Sequence, residues 1–207
     1  MVRQPGDICC PGGGIEPRID AFGARLLRLP GSPLRRWEYY SRWQHQRPAD
    51  LHQLRLLLAT ALREGLEEMR LNPLRVSFQG VLPPEPLVMF RRVIYPLVVW
   101  VGGQRRFHPN WEVEKVVRIP VRMFLNPQSY ICYRLTMPAT RVGEAEGRFD
   151  FLAFRFETPH GHEILWGATF RIAMAFLDRV FDFAPPGLEN LEVMERQLPP
   201  HYLTGAG

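Results

Sequence analysis

"ALREGLEEMRL", residues 61 to 71, places three glutamates and two arginines among eleven positions that otherwise read as an apolar helix. On a helix Glu64, Glu67 and Glu68 stand at i, i+3 and i+4, so their carboxylates share one face. Like charges at that spacing destabilise a helix unless a cation or a buried donor offsets them. Magnesium is a cation of that kind, a hard ion that takes carboxylate oxygens, keeps several waters and is completed by substrate phosphates. Arg63, beside the cluster, can hold one carboxylate in place. A solvated charged face has the same composition, because glutamate and arginine are good helix formers. The flanking sequence has to separate these two readings.

Working outward, "ADLHQLRLLLATALREGLEEMRL" (49 to 71) carries Leu51, Leu54, Leu58, Leu62 and Leu66 at close to the helical period. Asp50 is expected to cap the start of this helix, and Asn72 with Pro73 to end it. Further on, the pattern changes to period two and short apolar runs. Strands are expected over 75–82, 93–101, 112–119, 130–137 and 149–157, then a helix over about 168–183. The tail from Pro185, with two Pro-Pro pairs, reads as a loosely packed arm. Upstream, 21–48 mixes basic and aromatic residues with Pro30 and Pro33 and reads as a partly helical, exposed insertion.

Ahead of the insertion stands "PGGG", Pro11 to Gly14. Glycines there remove side chains where backbone must come close to something. The amides of such a loop can cradle phosphate, and a carbonyl can ligate metal. A glycine loop followed by Arg63, Glu64, Glu67 and Glu68 resembles the Nudix hydrolases, whose box runs Gly, five residues, Glu, seven residues, then Arg-Glu-U-X-Glu-Glu-X-Gly-U, where U is aliphatic. The resemblance implies an α/β fold, an α/β/α sandwich with a mixed central sheet, forming a single domain over 1–207. It also implies Mg2+, or Mn2+ in its place, held by Glu64, Glu67, Glu68 and the Gly13 carbonyl. Arg63 would orient a glutamate, and Glu64 or Glu67 would accept the proton of the attacking water.

The similarity extends to the coenzyme A diphosphatase branch of that family. "RQPGDICCPGG" resembles its upstream signature, with Arg3, Gly12 and Gly14 as the implied substrate contacts. "LLLATALRE", "GVLPP", "HPNWEVEKVVRIPV" and "ILWGATFRIA" resemble its later segments in the right order. The implied reaction is hydrolysis of coenzyme A or an acyl derivative to a phosphopantetheine and 3′,5′-ADP. Hydrolysis of another nucleoside diphosphate derivative is one alternative, and a non-catalytic nucleotide- or coenzyme A-binding module is another.

The chain departs from the pattern in several places. Gly65 replaces an aliphatic residue, and Arg70 stands where glycine closes the helix, leaving Asn72 as the expected left-handed cap. Gly13 and Arg63 are fifty positions apart, against roughly fourteen in the usual box. The box's first glutamate therefore has no clear equivalent, with Glu16 and Asp20 as weak candidates. The loop arrives by residue 11, so strands that normally precede it are expected upstream of Met1, an expectation that an in-frame stop codon directly before Met1 would remove.

The remaining composition narrows the function. With 207 residues, 46% hydrophobic, the chain can build one sizeable core. No apolar run reaches the roughly 18 residues of a spanning helix, and no secretory segment opens the chain, so a cytoplasmic protein without a membrane partner is expected. Cys9, Cys10 and Cys132 form neither a disulfide framework nor a zinc spacing. The net charge of +5 rests on arginines, with Lys115 the single lysine among 26 basic residues. Acidic residues lie between them, so nucleic acid is not expected as a partner. A small diphosphate substrate is, and a homodimer is the candidate assembly.

Three further stretches carry weaker signals. "HGHE" (160 to 163) resembles a metal tract, but Pro159 and Gly161 favour a turn. Glu112 and Glu114 would share one face of a strand, which could approach the catalytic cluster or form an exposed edge. "RRWEYYSRW" (35 to 43) offers aromatics and arginines for stacking on a base, gripping phosphate, contacting a partner or forming a lid.

Overall fold

A computed structural model describes residues 7–87, 92–137 and 147–197. The described residues form four α-helices and eight strands in a mixed α/β arrangement, and the chain divides into two compact units. One unit comprises Cys10–Pro84 and Tyr95–Val116; the other is built from residues up to Cys9, Glu85–Ile94 and the chain from Val117 onward. Arg3 lies outside the described residues.

The first unit is organised around the long helix. Helices α1 (Pro17–Leu26), α2 (Tyr40–Gln46) and α3 (Pro48–Met69) accompany an antiparallel ribbon of β1 (Val76–Val81) and β4 (Leu97–Val101). Proline suits the first position of α3, where its missing N–H has no helical partner. The helix thus begins at Pro48, with Arg47 before it, and Asp50 does not cap it. Leu51, Leu54, Leu58 and Leu62 are buried, as their spacing predicts, and Ala59, Gly65 and Glu68 join them on the inner face. Leu27, Leu34 and Tyr40 of the insertion are buried in the same core, beside Val76 and Phe78 of β1. Most of the insertion is exposed and partly helical, as expected, and these three residues anchor it to the core. Pro30 and Pro33 interrupt any continuous helical pattern between Leu27 and Tyr40, which hid these residues in the sequence.

The end of α3 also differs from expectation. Arg70, not Asn72, takes the left-handed conformation, with φ 57°, and its N–H bonds to the Leu66 carbonyl at 3.1 Å. The Leu71 N–H reaches the Gly65 carbonyl at 3.0 Å, completing the terminal hydrogen-bond pair. Asn72 is extended and instead accepts from the Leu74 N–H, capping the short turn Pro73–Arg75.

The second unit holds a four-stranded sheet in the order β7-β6-β5-β8. Strands β5 (Tyr130–Met137), β6 (Gly147–Thr158) and β7 (Gly161–Leu165) are antiparallel neighbours, and β8 (Val193–Gln197) runs parallel to β5. A separate small ribbon pairs β2 (Glu85–Leu87) with β3 (Arg92–Ile94). Phe154, Tyr130, Phe170 and Leu177 anchor one core, the latter two from α4 (Gly167–Phe181). Ile131, Tyr133, Leu135 and Ala153 form a second cluster.

Other expectations are corrected here. Pro96 carries no N–H for a ladder, and 93–101 splits into β3 and β4. Residues 112–119 form no strand. The tail is not all loose arm, since Val193–Gln197 adds β8 to the sheet. The described strands fall into three sheets rather than one central sheet. Among the described residues no helix is long and apolar enough to cross a membrane.

Candidate functional site

The glutamate face of α3 and the glycine loop belong to the same unit, and Arg63 joins them. Its Nε donates to Asp20 Oδ1 at 2.9 Å, and its Nη2 donates to the Gly14 carbonyl at 3.0 Å and to Asp20 Oδ2 at 3.3 Å. Its Nη1 lies 3.0 Å from Glu64 Oε1 and 3.1 Å from Glu67 Oε2. A planar guanidinium with five donors can serve all these acceptors at once, which a lysine cannot. The hydrogen bond to Asp20 is the largest cause of a guanidinium pKa raised above its ordinary value, so the charge is permanent.

Asp20 is the residue that the sequence left ambiguous. It is 1% exposed and sits near the start of α1, where its carboxylate accepts from the Glu16 N–H at 2.7 Å and from Thr60 Oγ1 at 2.9 Å. Burial would raise its carboxyl pKa, but hydrogen bonds from Arg63, Glu16 and Thr60 outweigh it and hold the carboxyl below its ordinary value. Glu16 is the weaker partner, 3.9 Å from Arg63 and more than half exposed. Thr60 and Arg63 lie three apart on α3, a spacing that could have pointed to a shared acceptor.

Each glycine of the loop meets α3. The Gly12 N–H donates to the Glu68 carboxylate. A Cβ built on Gly13 would overlap the Glu64 carboxylate, so backbone lies directly on that group. Gly14 gives its carbonyl to Arg63. Gly12, Gly13, Gly14, Arg63, Glu64, Glu67 and Glu68 are thus brought together.

The glutamates have unequal surroundings. Glu68 is buried, and its carboxyl pKa is pushed up to about 7 by burial first, then by the charge of Glu64, with Glu112 and Glu67 adding to it and the Gly12 N–H opposing. Glu112 comes from a loop, not a strand. The Asn110 N–H bonds to the Glu68 carbonyl at 2.8 Å, and the Asn110 side chain accepts from the Glu112 N–H at 2.8 Å. Glu67 is 53% exposed and drawn to Arg63. Among the described residues no three histidine, cysteine, aspartate or glutamate side chains group as a ready metal cage. His160 lies in the turn between β6 and β7, where its N–H faces Thr158 Oγ1 at 3.4 Å, and His162 pairs with Glu157 across the hairpin.

The donor set nevertheless fits a hard divalent cation. Glu64 and Glu68 supply carboxylate oxygens beside bare loop backbone, and a cation there would relieve the repulsion between their charges. Magnesium commonly takes only one or two carboxylates, the remainder being water and substrate phosphate.

Over 68 residues the chain is 41% identical to the Nudix hydrolase NudL of Pectobacterium atrosepticum, a match covering 32% of this chain and 35% of that protein. The chain thus spans about a third of the length of the curated relative it matches. No family model matches. The similarity supports a relationship to the Nudix hydrolases.

Proposed function

We propose that this chain is a metal-dependent hydrolase of nucleoside diphosphate derivatives, with coenzyme A or an acyl derivative as substrate and a phosphopantetheine and 3′,5′-ADP as products. The observation that carries the reading is Arg63, which ties the glycine loop to the glutamate face of α3 through the Gly14 carbonyl. The resemblance of the flanking segments to coenzyme A diphosphatases supports the substrate.

Glu64 and Glu68, with the Gly13 carbonyl, would hold Mg2+, and Glu67 would complete the set on release from Arg63. Bound there, the ion supplies Lewis-acid polarisation of the diphosphate and a more acidic water. Arg63 fixes Glu64 by a direct ion pair and the loop by its bond to Gly14, so both sides of the site keep one geometry. The Gly12 N–H steadies the Glu68 carboxylate. Glu64 or Glu67 would take the proton from the attacking water, Glu64 being the one already held by both Arg63 and the loop.

The test is release of 3′,5′-ADP from coenzyme A with Mg2+, comparing the full chain with Glu64→Gln and Glu67→Gln. Turnover that falls at least about 100-fold in Glu64→Gln is expected. Turnover on nucleotide sugars or dinucleotides, without preference for coenzyme A, would replace the substrate while keeping the chemistry. The non-catalytic alternative is motivated by the long insertion between the glycine loop and Arg63, together with Arg70 in place of glycine. It requires thermal stabilisation by Mg2+ and coenzyme A with no turnover on any of these substrates.

A further inference from the structure

Helix α1 has two apolar sides. Gly23 and Leu27 lie on the side toward α3, where a Cβ at Gly23 would stand 3.0 Å from the Ala59 methyl and Leu27 is buried. The other side is bare. Ile15, Ile19, Phe22, Leu26 and Leu29 are 45, 55, 62, 47 and 55% exposed. Ile19, Phe22 and Leu26, three and four apart within α1, occupy an arc of roughly 60°, with Ile15 just ahead of the helix. Leu29 extends the stripe past α1, its N–H bonded to the Leu26 carbonyl at 3.0 Å. Contiguous apolar patches larger than a few hundred Å² are rare on soluble monomers and mark contact surfaces.

The edge of the stripe is basic. Arg18 and Arg25 border it on the side away from α3, with Arg28 farther round, and all three are exposed and absent from the described ion pairs. We infer that this ridge docks the protein peripherally on an anionic lipid surface, with Phe22 at the centre of the inserted face and Arg18 and Arg25 at headgroup level. Apolar residues on one face with arginines beside them are the recognition elements of an interfacial helix.

Charge and shape select this occupant over others. If α1 paired antiparallel with a second copy about a two-fold axis, the arginine edge would face itself. If it paired parallel, that edge would face the side already occupied by α3. A helical peptide is bound in a groove, whereas these five side chains project as a ridge. A cleft of this unit on α2, lined by Tyr39, Arg42, Trp43, Gln46 and Arg47, includes none of them. Peripheral docking differs from spanning and requires no transmembrane helix.

The test is co-sedimentation of the full chain, without metal or substrate, with phosphatidylcholine vesicles and with mixed phosphatidylcholine–phosphatidylserine vesicles. Binding to the mixed vesicles is expected. Phe22→Ser and, independently, Leu26→Ser should weaken it at least about tenfold, with unchanged thermal melting because both side chains are exposed. Arg18→Gln combined with Arg25→Gln should abolish the preference for phosphatidylserine. No binding to mixed vesicles, or binding indifferent to Phe22→Ser and Leu26→Ser, overturns the inference. So does a dimer in light scattering that Phe22→Ser dissociates while vesicle binding is absent, which would assign the ridge to a second copy. None of these readouts depends on turnover, so they stand or fall apart from the proposed hydrolysis.

Discussion

The Arg63 guanidinium and the Asp20 carboxylate meet at 2.9 Å across 43 positions of sequence. Asp20 is 1% exposed and Arg63 10%, so the pair lies largely out of water. It ties α1, just past the glycine loop, to α3 across the insertion.

Removing one partner leaves the other's charge poorly compensated. Asp20→Asn is expected to cost about 2 to 4 kcal/mol, less than the most severe cases because Glu64 and Glu67 still face Arg63. The effect has a defined pH dependence. The folded carboxyl pKa lies below the ordinary value of 3.8, so the contribution is complete above that value and is lost as pH falls through the folded pKa. Denaturant titrations of both proteins at neutral pH and in acid should show the difference shrinking in acid. A difference that stays constant would place the effect in packing instead of charge.

Gly13→Ala isolates the contact between loop and carboxylate. The new methyl would occupy the space of the Glu64 carboxylate, so the loop or the glutamate must shift. Gly13 itself is exposed, and stability should change little. Activity should fall roughly 100-fold if the site needs this geometry. Paired melting and turnover measurements decide it, and an active Gly13→Ala would detach the loop from the chemistry.

Arg63→Lys keeps a charge but not the fork. A lysine can reach Asp20 or Gly14, not Asp20, Gly14, Glu64 and Glu67 together. Mg2+ affinity measured calorimetrically is expected to drop about 10- to 100-fold, with the charge of Asp20 still compensated. Loss of stability as large as in Asp20→Asn, with unchanged Mg2+ affinity, would make Arg63 purely structural.

What the sequence disclosed was whatever repeats locally. Helix α3 announced itself through leucines at the helical period, and β5 and β6 through alternation. Asp20 did not, because its partners Thr60 and Arg63 stand some forty positions away and nothing local marks a buried carboxylate. The segment 112–119 imitated a strand, although the hydrogen bonds of Asn110 tie its start to the end of α3. Strand β8 was hidden for the opposite reason. "VMERQ" is too polar and too short to stand out, and its ladder comes from β5.

Arg70 offers a test that touches stability alone. It ends α3 at φ 57°, a conformation that places an L side chain's Cβ close to the following carbonyl. The turn is held by groups that do not depend on the arginine side chain. Gln104 Nε2 donates to the Arg70 carbonyl at 2.9 Å, and Gln104 Oε1 accepts from the Asn72 N–H at 2.8 Å. Arg70→Gly should therefore keep the geometry while relieving the steric cost, at the expense of some added freedom in the unfolded chain. The net gain is expected to be about 0.5 to 1 kcal/mol, read as a rise of roughly 1 to 4 °C in Tm. A lower Tm for Arg70→Gly would show that the exposed arginine side chain contributes more to this end of the helix than its backbone conformation costs.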